Sequence, residues 1–133
     1  MPFALDASAA LAWMLPEESP AAEQARARIA TDNALVPALW WFELRNGLII
    51  NERRGRITED EAADFLHRVD QFAIAVDDAP GGAALMALAR RHRLTAYDAA
   101  YLELALREGV PLATLDGSLA AAARAEGVPV LGE

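Results

Sequence analysis

The chain reads as an α/β protein whose mostly parallel sheet is flanked by helices on both faces. Short apolar runs of strand length alternate with longer segments of helical period along the whole sequence. The second half states the pattern most clearly: helix, Gly-Val-Pro, strand, helix, Gly-Val-Pro, strand. With 54% apolar and 24% charged residues in 133, and no low-complexity tract, the composition is that of a folded globule with a real core. No linker or composition break divides residues 1–133, so a single domain is expected.

PFALD (Pro2 to Asp6) predicts a short buried strand, and a helix from about Ser8 to Leu15 follows, stopped by Pro16. A second helix starts at Pro20 and runs through EQARARIA. ALVP (Ala34 to Pro37) is a strand, after which Pro37 opens a long helix, ALWWFELRNGLIINERR, ended by Gly55. Thr58 is the expected N-cap of the next helix, within ITEDEAADFLHRVDQF. AIAV (Ala73 to Val76) is a strand, followed by a helix from about Gly82 to His92 and another from Thr95 to Gly109. VPLATL (Val110 to Leu115), a helix from Ser118 to about Glu126 and a last strand, VPVL (Val128 to Leu131), complete the chain.

Several chemistries are excluded by what the chain lacks. Without Cys there is no disulfide, thiolate catalysis or cysteine-based zinc or iron–sulfur site. All 12 basic residues are Arg, and the lack of Lys removes a P-loop, Schiff-base chemistry and a receiver-type phosphorylation site. His67 and His92 stand in polar helical stretches and read as surface residues, which leaves no His dyad or His metal cluster. No apolar run is long enough to span a membrane, and no basic region precedes the first apolar residues as in a signal peptide, so a cytoplasmic location is expected. A net charge of −8 argues against a protein that coats nucleic acid, but it is compatible with a nuclease whose acids are neutralised by divalent ions. Arg45 and the runs NERRGR (Asn51 to Arg56, with Arg53, Arg54 and Arg56) and ARRHR (Ala89 to Arg93) are the candidates for RNA contact; solvated surface is the other reading of such runs.

Asp98 is the misfit of its helix, TAYDAAYLELALREG. At about 100° per residue, Glu103 lies roughly 140° and Arg107 roughly 180° from it. Those two form an i, i+4 pair that marks the expected wet face, so Asp98 faces the packed side. A carboxylate there must be paired, hydrogen-bonded or bound to a cation. It could equally be a first-turn acid beside an N-cap at Thr95. Asp6 closes the first strand and Asp116 closes VPLATL, both where open parallel sheets collect ligands, although helix capping or Asp-Gly turn chemistry would also explain them. Glu43 repeats the geometry of Asp98: Leu39, Asn46, Gly47 and Ile50 share its side, while Arg45 and Glu52 lie roughly opposite. A buried Glu satisfied by an Arg or by backbone is its alternative. Trp40 and Trp41, next to it, read as core or interface. Four carboxylates without basic partners would repel, and hard divalent cations with oxygen ligands, Mg²⁺ or Mn²⁺, relieve that repulsion and provide a water that hydrolyses phosphodiesters.

In order, LDAS, PALWWFELRNGL, LTAYDAAYLELA and LATLDGSL resemble the PIN-domain ribonucleases, specifically the VapC toxins of toxin–antitoxin pairs. The resemblance spans nearly the whole chain and implies the PIN-like three-layer fold. It further implies a metal site of Asp6, Glu43, Asp98 and Asp116, with Ser8, Thr114 and Asn46 in support. It implies RNA hydrolysis to a 5′-phosphate product, a homodimer, and a cognate antitoxin whose tail covers the acidic groove. The absence of Lys departs from a mixed basic surface and leaves RNA contact to Arg alone. Two rivals stand beside this reading. A phosphatase using Asp6 as nucleophile would want a second acid two residues on, where Ser8 stands. A catalytically silent PIN-like binding module would not need four acids.

Overall fold

The computed structural model describes residues 1–15 and 19–133. The elements run β1 (Phe3–Leu5), α1 (Ala7–Leu11), α2 (Pro20–Ile29), β2 (Ala34–Pro37), α3 (Leu39–Arg53), α4 (Glu59–Val69) and β3 (Ile74–Asp77). Then follow α5 (Gly82–His92), α6 (Ala96–Glu108), β4 (Leu112–Ala113) and α7 (Gly117–Ala125). The strands form one sheet in the order β3-β2-β1-β4. Every pairing is parallel, with Phe3 opposite Ala34, Ala4 opposite Leu112, and Ala34 opposite Ile74. Because the strands are parallel, their carboxyl ends lie along one edge. The residues that follow β1, β2 and β4 are thereby gathered there.

Local chemistry accounts for most boundaries. Thr58 caps α4 and closes a full capping box with Glu61. Gly109, at φ 65°, ends α6 in the left-handed conformation that glycine adopts without steric cost. α1 is shorter than expected: after Leu11 the amides of Trp13 and Met14 bond three residues back, tightening the chain into turns. The expected stop at Pro16 lies outside the described residues. The strand expected over Val110–Leu115 keeps only Leu112 and Ala113, because Pro111 has no N–H to give a ladder and the partner strand β1 ends at Leu5, opposite Ala113. VPVL is not an extended strand. It makes one parallel bridge, Leu112 to Val130, bounded by Pro129.

Two expectations about surface are corrected. The pair Glu103 and Arg107 exists, but it is not a wet face: Glu103 is only 4% exposed. Its carboxylate accepts from Arg107 Nε at 2.8 Å and Nη2 at 2.9 Å, and from the Gly81 amide at 3.2 Å. Arg107 also donates twice to Asp77, so the network pins the end of β3 and the start of α5 onto α6. His92 is half-buried rather than superficial and contacts Glu126 at 2.6 Å. His67 is exposed, as expected.

α6 is the central helix, with Ala99 to Ala105 all buried. It packs against α5, α7, β1 and β2, which explains why its sequence is apolar on nearly every side. Phe3, Leu5, Val36, Leu44, Tyr101, Leu102, Leu104, Leu112 and Leu119 are the largest fully buried side chains. Trp40 joins this core, while Trp41 is exposed, meets Phe42 edge to face and has the Arg45 guanidinium over its ring.

Because Arg107 is the cation paired with Glu103 among the described residues, removing it leaves a buried carboxylate uncompensated. Arg107→Met should destabilise the protein by roughly 2–4 kcal/mol in urea unfolding. Arg91→Met, at the exposed Arg91–Glu126 pair, should cost about 1 kcal/mol or less. Equal losses would show that the Glu103 network is not a structural anchor.

Candidate metal centre

Asp6 stands where β1 stops and α1 starts. It caps α1 by accepting the Ala9 amide at 3.0 Å, on the same Oδ1 that accepts the Ser8 hydroxyl at 2.6 Å. Its other oxygen accepts the Thr114 hydroxyl, from the end of β4. Only 5% of Asp6 is exposed, and burial pushes its carboxyl up to about 6. The charge of Glu43 pushes the same way, against the opposing pull of the Ser8, Thr114 and Ala9 donors.

Ser8 and Thr114 hold more than Asp6. The Ser8 hydroxyl accepts the Leu115 amide at 3.0 Å, and the Thr114 hydroxyl accepts the Asp116 amide at 3.0 Å. Two short side chains therefore tie the end of β1 to the loop after β4. Asp116 caps α7 through the Leu119 amide at 3.0 Å. The capping reading of Asp6 and Asp116 is thus correct, and it positions both carboxylates at the sheet edge without consuming all their oxygen lone pairs.

Asp98 enters from α6. Thr95 is the N-cap and accepts the Asp98 amide at 3.1 Å, but the reciprocal backbone bond that Glu61 makes to Thr58 has no counterpart here among the described residues. Burial first, and then the charge of Asp116, hold the Asp98 carboxyl above its ordinary range, against the Thr95 hydroxyl bond. Glu43, on α3, accepts the Tyr101 hydroxyl at 2.5 Å. Burial and the charge of Asp98 raise its carboxyl, while the Tyr101 bond lowers it. The four acids are therefore electrostatic neighbours in sequence: Asp6 feels Glu43, Glu43 feels Asp98, and Asp98 feels Asp116. They do not close into a cage: among the described residues no three acid or His side chains converge tightly enough to hold an ion as they stand.

The donor set nevertheless suits a hard cation. All four groups are oxygen donors, three are held above their ordinary proton affinity, and no Arg is among the groups acting on them. Glu43 and Asn46 line an open cleft of about 420 Å³ with Leu39, Phe42 and Tyr97. Phe42 and Tyr97 are 68% and 66% exposed beside these acids.

The arginines are placed differently. Arg45 lies with its guanidinium 3.6 Å from the Trp41 ring and donates to the Trp41 carbonyl at 3.2 Å. Arg53, Arg54 and Arg56 are exposed at the far end of α3, with Arg53 about 15 Å along the helix axis from Glu43. They are not gathered with the acids. Tyr101 was not foreseen at the site: a Tyr among Ala and Leu looks like core. Its spacing of three from Asp98, which puts both on one helix face, was the available signal. Its hydroxyl is held well above the ordinary phenol range by burial and then by the bond to Glu43, so it stays a donor.

A PIN domain family model matches residues 3–125. The chain is 39% identical over 124 residues to Ribonuclease VapC3 of Pyrobaculum aerophilum, covering 90% of this chain and 93% of that protein. Among solved structures it is similar to PAE2754 from Pyrobaculum aerophilum, at a TM-score of 0.75 and 26% identity over 98% of this chain and 90% of the other. The fold is also that of FitAcB from Neisseria gonorrhoeae, at a TM-score of 0.65 and 22% identity over 98% and 96% of the two chains. With residue patterns, sheet topology and these likenesses in agreement, the chain belongs to the PIN-domain family, alongside the VapC ribonucleases.

Proposed function

We propose that this chain, acting as one PIN-like domain, is a metal-dependent endoribonuclease and the toxin of a toxin–antitoxin pair. The observation that carries this reading is the row of four neighbouring carboxylates at the carboxyl edge of a parallel sheet, three of them raised by burial and by one another's charge. Similarity to a protein named as a ribonuclease supports RNA as the substrate.

Asp6, Asp98 and Asp116 would hold Mg²⁺ or Mn²⁺, with Glu43 as a further ligand or as the group that orients the attacking water. A divalent ion bound there supplies charge neutralisation at the phosphate and a water acidic enough to attack phosphorus. The chain's own residues supply rigidity. Ser8, Thr114 and the Ala9 amide fix both oxygens of Asp6, so little side-chain freedom is left to lose on binding. Asn46 borders the cleft where substrate would lie. A phosphatase using Asp6 as nucleophile would want a second acid two residues on, where Ser8 stands and instead donates to Asp6. There is no His pair to run cleavage through the RNA 2′-hydroxyl, which favours a hydrolytic 5′-phosphate product.

The exposed Trp41, Phe42, Ile49 and Tyr97 offer apolar surface beside the cleft for a homodimer contact and for a cognate antitoxin. Among the described residues no helix is long and apolar enough to cross a membrane.

EDTA should abolish RNA cleavage, and millimolar Mg²⁺ or Mn²⁺ should restore it in the parent but not in folded Asp98→Asn; cleavage that survives chelation would sink the mechanism. A second expectation concerns pH. Asp6 has its ordinary value of 3.8 when unfolded and about 6 when folded, so the fold favours its protonated form. That contribution is fully present below 3.8 and is lost as pH rises through about 6. In chelator, the stability of Asp6→Asn relative to the parent should therefore rise by about 2–3 kcal/mol between those pH values. A flat difference would mean Asp6 is not strained. Finally, replacing Arg53, Arg54 and Arg56 together should weaken RNA binding and flatten its dependence on salt. An unchanged slope would return them to solvated surface.

A further inference from the structure

Tyr101 occupies a position where Phe would pack equally well. It is 2% exposed on the central helix, among the largest buried side chains of the core. A hydroxyl there is costly unless it is bonded, so its partner is the reason to look at it. The hydroxyl donates to Glu43 Oε1 at 2.5 Å.

The bond spans 58 residues of sequence and joins α6 to α3. Tyr101 also stands between the two sides of the acid row, since it lies three residues beyond Asp98 on α6 and feels the charge of Asp6. Glu43 needs such a partner more than the others. Asp6 is fixed by two hydroxyls and an amide, whereas Glu43 has a longer side chain with more rotamers and borders an open cleft.

We infer that Tyr101 is the positioning residue of the metal centre, whose hydroxyl holds the Glu43 carboxylate in one rotamer for a divalent cation. This rests on the metal-dependent reading given above. A simple brace between α3 and α6 would show the same hydrogen bond but would leave metal affinity unchanged when the hydroxyl is removed.

The test compares the parent, Tyr101→Phe, Glu43→Ala and the double variant. Mn²⁺ binding is followed by electron paramagnetic resonance, RNA cleavage is measured at saturating Mn²⁺, and melting in chelator reports folding. Tyr101→Phe should bind Mn²⁺ about 10-fold more weakly and lose kcat, with KM for RNA nearly unchanged. In the Glu43→Ala background the same substitution should change Mn²⁺ affinity no further. Parental affinity and kcat in Tyr101→Phe, or an equal loss with and without Glu43, would overturn the inference while leaving the metal centre intact. A parent that binds no Mn²⁺ would overturn the metal centre and this inference with it.

Discussion

A carboxylate buried at the end of a strand is the constraint on which this site depends. Asp6 cannot be exposed without undoing the turn from β1 to α1, because it caps that helix. Nor can it move sideways, because Ser8 and Thr114 bind its two oxygens from opposite sides of the β1–β4 pairing. Neutral hydroxyls and one amide satisfy its hydrogen bonds but not its charge, and its raised proton affinity expresses the difference. Glu43, Asp98 and Asp116 then add like charge to a region that is already short of positive charge. Stability is given up locally for an arrangement that a divalent cation would relieve, a pattern common where strain serves function.

The parallel sheet makes this possible. Each strand delivers its carboxyl end to the same edge, so residues from distant parts of the chain meet without special loops. α6 does the remaining work from the middle of the molecule. Its face towards the sheet edge carries Asp98 and Tyr101, while Glu103 and Arg107 anchor β3 and α5. One helix thus ties the acid row to the far side of the fold. Its seven consecutive buried residues leave it little freedom to shift.

Much of this was legible in the residues, and the failures have physical causes. α5 and the capped start of α4 follow from local signals, Gly81–Gly82 and Thr58 with Glu61, that hardly depend on tertiary context. The short β4 and the missing last strand were overestimated because apolar runs look like strands even where Pro111 and Pro129 withhold ladder donors. Helical geometry placed Glu103 opposite Asp98 correctly. It could not say that the opposite side would be covered by α5 and the end of β3, since both faces of a central helix are packed. The four acids stood out as charges in apolar surroundings. Their order as neighbours, and the link from Tyr101 to Glu43, depend on how α3 and α6 cross, which no periodicity within either helix encodes.

The most direct measurement is anomalous X-ray scattering from crystals grown with Mn²⁺, which locates bound ions by element. The expected result is an anomalous peak ligated by carboxylate oxygens of Asp6, Asp98 and Asp116, with Glu43 bound to it or to one of its waters. Mn²⁺ ordered only elsewhere on the protein, with these four side chains unligated, would contradict a metal centre at the sheet edge.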